Sequence, residues 1–159
     1  MLKFPAMRDW FGEPAGFALE YSLEVAGPRL QFHFSTGWPP SCDPEARGFV
    51  SGLWERDVAE FFLMAEDGSY QEFNLSPTGA WWSARFRGYR DLLREDQCPS
   101  VATGAHSTAE GWSAWLSVEL RDLIEWKKTN VCAILGGRFF CAGHSSGGQP
   151  DFHLASNFG

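Results

Sequence analysis

Glu60, Tyr70, Glu72 and Asn74 occupy two neighbouring stretches, DVAEFFLMA at 57–65 and SYQEFNL at 69–75, set among apolar residues. A carboxylate accepts hydrogen bonds, while an amide both accepts and donates them. Beside aromatic rings, such groups suit a polyhydroxyl ligand. The apolar C–H faces of a sugar stack on indole or phenol, and its hydroxyls reach the polar side chains. Trp54 precedes the first stretch, Trp81 and Trp82 follow the second across a Ser76-Pro77-Thr78-Gly79 turn, and Arg90 closes the run WWSARFRGYR. Trp54, Tyr70 and Trp81 or Trp82, with Glu60, Glu72, Asn74 and Arg90, form the candidate ligand-binding set. Trp54 and Trp81 equally suit packing at the ends of a sheet.

Other chemistries find less support in the residues. Two carboxylates on adjacent strands fall near the ~5 to 9.5 Å spacing that glycosidases use, yet nothing marks one as a raised acid or a nucleophile. There is no Gly-x-Ser-x-Gly elbow, so no catalytic residue is assigned. The four cysteines, Cys42, Cys98, Cys132 and Cys141, show no CxxC pair and no Cys/His metal spacing. No DxDxDG-like run points to calcium. A haem would need axial His or Met, and Met64 with His106, His144 or His153 offers only a loose combination without a CxxCH attachment. No metal and no cofactor is expected.

The strands must place the polar set on one face for it to act together, and the turn at 66–68 decides this. A two-residue Asp67-Gly68 turn would set Glu60 opposite Leu75 and Leu63 opposite Glu72. A three-residue loop, with Gly68 left-handed, pairs Ala65 with Ser69. It then sets Glu60 opposite Asn74, Phe62 opposite Glu72 and Met64 opposite Tyr70. A slip of one residue exchanges every face, so one register alone is native. The second segregates polar from apolar more cleanly and is the expected one. It puts Glu60, Tyr70, Glu72 and Asn74 on a face shared with Phe62 and Met64.

The rest of the chain reads as strands. Residues 17–25 alternate without a break, and Gly27-Pro28 turns them into RLQFHFST, where His33 faces outward. Residues 35–49 form a long loop, with Trp38 as either a lid over a site or a plug for the end of a sandwich. Residues 91–99 read as a charged loop, with Cys98, like Cys42, as a loop thiol. VATGAHST and WSAWLSVEL read as strands, and RDLIEW as one or two helical turns at most. NVCAILGG and RFFCAGH form a hairpin across Gly136-Gly137, which sets Cys132 opposite Cys141 as free thiols of the core. Many short strands with short connections predict an all-β antiparallel β-sandwich, one domain over 1–159.

With 44% hydrophobic residues the chain is globular, and eight Trp and fourteen Phe exceed what a core of this size needs. A net charge of −7 argues against nucleic acid as a partner. No apolar run approaches a membrane span, and the N-terminal stretch has no secretory h-region, so a cytoplasmic protein is expected.

The stretch Leu53-Trp54-Glu55-Arg56-Asp57-Val58-Ala59-Glu60-Phe61-Phe62 leads into Tyr70-Gln71-Glu72-Phe73-Asn74-Leu75-Ser76-Pro77-Thr78-Gly79-Ala80-Trp81 and then Phe86-Arg87-Gly88-Tyr89-Arg90. This resembles DOMON-like proteins related to family 9 carbohydrate-binding modules, closely over 47–90 and loosely at the ends. The tail Pro150-Asp151-Phe152-His153 is similar to the closing segment of that family. The resemblance implies a β-sandwich and, in its carbohydrate-binding branch, a sugar held by aromatic stacking and charged side chains. The expected function is therefore non-enzymatic binding of a small saccharide or sugar-containing metabolite. The alternatives are a protein–protein interaction module and the haem-binding DOMON cytochromes.

Overall fold

In β2 (Leu19–Ala26) and β3 (Arg29–Thr36), Leu23, Leu30, Phe32 and Phe34 are buried while the intervening residues face out. That period of two is the signature of a sheet with one face on a core and one in water. The computed structural model describes residues 7–142, 150–154 and 158–159. The remaining strands are β1 (Arg8–Asp9), β4 (Val58–Met64), β5 (Tyr70–Leu75), β6 (Trp81–Gly88), β7 (Asp91–Glu95), β8 (Ala102–Ser107), β9 (Trp112–Glu119), β10 (Lys128–Leu135) and β11 (Arg138–Cys141). They form two antiparallel sheets, one in the order β1-β11-β10-β4-β5-β6-β7 and one in the order β2-β3-β9-β8. The protein is an all-β sandwich, as its patterning predicts.

Both uncertain registers fall where segregation of polar and apolar groups places them. Glu60 pairs with Asn74, Phe62 with Glu72 and Met64 with Tyr70. The Ala65 N–H donates to the Ser69 carbonyl at 2.8 Å, and Gly68 takes a φ of 87°. Cys132 pairs with Cys141 across the Gly136-Gly137 turn, and their sulfurs lie 3.6 Å apart. Both glycines are left-handed, at 55° and 76°, as a two-residue hairpin turn requires.

The inter-sheet core stacks Phe61 on Phe73 at 4.7 Å and sets Phe32 against Phe61 at 4.9 Å. Trp38 packs on Phe17 at 5.2 Å and closes one end of this core, so of its two readings the plug is the observed one. A second apolar cluster lies on the outer side of the larger sheet. There Phe62, Tyr70, Trp82, Phe86, Cys132 and Cys141 meet Trp10, Phe152 and Phe158. Because strands on both sides of β4 and β5 are covered, every residue of β4 and β5 is buried. Burial on both faces explains how two glutamates come to lie in an interior.

Two expectations are corrected. Residues 91–99 are not wholly loop: Asp91–Glu95 pairs with β6 as an edge strand, its five residues exposed. Charged residues at positions 91, 94 and 95 hid it from pattern reading, and they suit an edge that must not recruit another strand. Cys98 follows it in a loop but is buried, its thiol pushed up to about 12 by burial and by the nearby Asp96 and Asp122 carboxylates. Helical structure among the described residues is confined to single 3₁₀ turns at Leu53–Glu55 and Leu120–Asp122. None is long and apolar enough to cross a membrane.

Candidate functional site

Glu60 projects from the centre of β4 onto the outer side of the larger sheet, flanked by Asn74 on β5 and Cys132 on β10. Glu72, two residues along β5 from Asn74, lies diagonally across from it. The two carboxylates form the floor of a groove of about 340 Å³. Its aromatic walls come from Trp54, Trp82, Phe86, Phe139 and Phe152, and its rim carries Arg90, Asp151 and His153. Trp54 meets Trp82 edge-on with centroids 5.7 Å apart and keeps 44% of its surface exposed. The Trp82 indole N–H donates to a Glu95 carboxylate oxygen at 3.0 Å, which fixes the ring's orientation.

One hydrogen-bonded chain holds the rim. The Arg90 backbone N–H donates to the Tyr70 hydroxyl at 3.1 Å, and that hydroxyl lies 2.6 Å from His153 Nδ1. His153 Nε2 lies 3.1 Å from a Glu72 carboxylate oxygen. A carboxylate takes a proton donor, so Nε2 carries the hydrogen, and the tyrosine hydroxyl then donates to Nδ1. Tyr70 is thereby held neutral, its hydroxyl pushed up to about 12 chiefly by burial. The Arg90 guanidinium meets Asp151 at 2.8 Å, and the Tyr89 hydroxyl donates to the same carboxylate. Burial raises the Asp151 carboxyl, but hydrogen bonds from Arg90, Tyr89 and the His153 backbone outweigh it and hold it below the usual range. Arg90 has a φ of 52°, a left-handed conformation uncommon outside glycine, and these contacts keep it there.

Glu60 differs from its neighbours. It is 4% exposed and forms no ion pair among the described residues. Burial and then the Glu72 charge raise its carboxyl well above the ordinary value. It is an acid poised to hold a proton unless a positive group arrives.

The structure thus brings Trp54, Glu60, Glu72 and Arg90 together in one groove. Three other members of the sequence-derived set lie elsewhere. Trp81 pairs with Leu75, so its side chain enters the inter-sheet core, 4.9 Å from Phe49, and the adjacent Trp82 supplies the groove ring. The parity of β6 is set by the turn at Ser76–Ala80, where the Ser76 N–H donates to Ala80. Tyr70 is 1% exposed beneath Phe86 and His153, and acts on the groove through the lining residues it holds, His153, Phe86 and Arg90. Asn74 is fully buried beside the floor, and neither amide atom has a partner among the described residues. Phe86, Ile134, Phe139 and the 150–153 segment escaped the residue-by-residue reading; the tail similarity was the one signal that reached that segment. Of the combinations offered for haem, His106 lies exposed on the other sheet, His144 falls outside the described residues, and both ring nitrogens of His153 are engaged.

A wider depression of about 470 Å³ lies on the outer face of the smaller sheet, around Trp115, His33 and His106. His33 is exposed there, as its place in the alternation predicts. Among the described residues its lining carries no buried acid, so the groove over Glu60 is the stronger candidate.

No protein-family model matches the sequence, and no curated protein sequence matches it. Solved structures resemble the fold. A crystal structure from Bacteroides uniformis, of a protein provisionally described as carbohydrate-binding, matches with a TM-score of 0.77 and 16% identity, over 99% of this chain and 84% of the other. A family 9 carbohydrate-binding module from Caldicellulosiruptor kristjanssonii, in complex with glucose, matches with a TM-score of 0.63 and 10% identity, over 99% and 82%. Similarity at this identity defines the architecture of the chain, a β-sandwich shared with these two structures.

Proposed function

We propose that this chain is a single non-enzymatic binding domain, DOMON-like in kind, that takes a small saccharide or sugar-containing metabolite in the groove over Glu60. The observation that carries this reading is the meeting of Trp54 and Trp82 with the buried carboxylates of Glu60 and Glu72 in one cavity. Indole faces match the C–H faces of a pyranose, and carboxylates match pairs of neighbouring hydroxyls. The neighbouring folds, one of them a module bound to glucose, support the same class of ligand. Rigid strands carry the floor, so little order is lost when a ligand enters. The reading includes no catalytic step. Glu72 is committed to His153, and the acid Glu60 forms no ion pair among the described residues.

A panel of mono- and disaccharides, followed by intrinsic tryptophan fluorescence and calorimetry, tests it on the wild type and on Trp54→Ala. Binding should weaken by about 1 to 3 kcal/mol in the variant, as it does when a stacking anchor is removed, with the melting temperature little changed. Absence of any sugar binding would overturn the reading. An interaction module is the second reading, favoured by Leu92 and Leu93, 49% and 46% exposed on the edge strand β7.

A further inference from the structure

The groove holds more acidic side chains than its own basic groups pair. Glu60, Glu72 and Asp151 line it, and against them stand Arg90 and His153. Arg90 is bound to Asp151 at 2.8 Å, and His153 Nε2 faces Glu72 at 3.1 Å. Glu60 is left without an ion pair among the described residues, and its cross-strand neighbours Asn74 and Cys132 bring no positive charge. Five aromatic side chains wall the same space, Trp54, Trp82, Phe86, Phe139 and Phe152. The faces of such rings are electron-rich and attract cations.

We propose that the groove selects an amino sugar, its protonated amine lodged between Glu60 and Glu72 while its ring lies against Trp54 and Trp82. This rests on the saccharide reading above and adds the charge of the ligand. Diagonal neighbours on adjacent strands stand ~7 Å apart, a span that one ammonium bridges, since it has three donors and each carboxylate accepts. A neutral or N-acetylated sugar leaves Glu60 to be neutralised by a proton instead. The ammonium replaces that proton, so binding expels it into solution. The chain's net charge of −7 favours approach of the same cation.

Wild-type protein is titrated calorimetrically with glucose, N-acetylglucosamine, glucosamine and 6-amino-6-deoxyglucose, near neutral pH and in two buffers of different ionisation enthalpy. At least one amino sugar should bind about tenfold more tightly than glucose, the margin by which charge-assisted hydrogen bonds exceed neutral ones. Its heat should depend on the buffer in the sense of proton release, and that of glucose should not. Glu60→Gln should abolish both the preference and the proton release. The groups facing Glu60 are Tyr70 and Glu72 from β5, Cys132 and Cys141 from β10 and β11, Arg90 from the β6–β7 turn, and Asp151 and His153 from the closing segment. A proton release that survives Glu60→Gln belongs to one of these and overturns the proposal. Amino sugars that bind no better than glucose also overturn it, with the saccharide reading intact. If none of the four binds, this proposal falls, and the wider panel of mono- and disaccharides decides whether the saccharide reading falls with it. Should Glu60→Gln not fold, the comparison of ligands and buffers on the wild type still decides.

Discussion

Adjacent tryptophans at positions 81 and 82 have opposite fates because successive strand residues point to opposite faces. Trp81→Ala removes a ring from the inter-sheet core and should cost about 3 to 5 kcal/mol of stability in urea unfolding, leaving the groove in place. Trp54→Ala should do the reverse, as the binding test above lays out. Asn74 belongs to a different category. Its amide is buried with no partner among the described residues, so no hydrogen bond to them is lost on replacement. Asn74→Leu should therefore stabilise the fold by about 1 to 2 kcal/mol, and a loss of stability would show that the amide is satisfied in solution. Glu60 sets a pH dependence whose sign follows from its raised carboxyl. The folded state holds this proton above the ordinary value of 4.5, where the unfolded chain has released it. Folding thus binds a proton, and stability falls as pH climbs from about 4.5 through the folded value. Glu60→Gln should flatten that fall in unfolding free energies measured across the range.

Two hairpins carry the elements of the site, and their turns do the positioning. Gly68 fixes the β4–β5 register that puts Glu60 and Glu72 on one face; a one-residue slip would turn them to opposite faces of the sheet. The Gly136-Gly137 turn sets β11 against β10 and so aims Phe139 into the groove. Its two glycines are left-handed, but only Gly136 is crowded, a Cβ there falling 2.4 Å from the Trp38 indole. Gly137→Ala should cost about 1 to 2 kcal/mol, the conformational term alone. Gly136→Ala should cost more, because the plug at the end of the core must also shift. Chemical denaturation of the two variants side by side checks the order, and equal costs would show that Trp38 yields freely. Asp57 ties this turn to the preceding loop, accepting from the Gly136 N–H at 2.9 Å and the Ser41 N–H at 3.1 Å.

Across the whole molecule, thiol chemistry reports how closed the sandwich is. Cys98, Cys132 and Cys141 are buried, and Cys42 is partly exposed in the loop between the sheets' strands. A thiol reagent should modify Cys42 alone in the folded protein and all four cysteines in denaturant. Rapid reaction of Cys132 or Cys141 in native protein would mean that β11 opens readily, and the groove wall with it.

Sequence by itself determined most of the strands, because alternation of apolar and polar side chains is a local property that the two-residue period makes visible; the charged edge strand β7, which lacks that alternation, escaped it. It determined the β4–β5 and β10–β11 registers too, since a short turn leaves few choices and only one gathers Glu60, Glu72 and Asn74 on one face and Phe61, Leu63 and Phe73 on the other. It brought Trp54, Glu60, Glu72 and Arg90 into one set. Only the tertiary structure decided which of Trp81 and Trp82 faces the groove, because the parity of β6 depends on hydrogen bonds across the preceding turn. It also decided that Tyr70 and Asn74 are covered, since the cover comes from elements remote in the chain, such as the 150–154 segment over Tyr70. His153 shows the reason most plainly: it reaches Glu72 and Tyr70 from some eighty residues away, and no local pattern encodes a contact made at that separation.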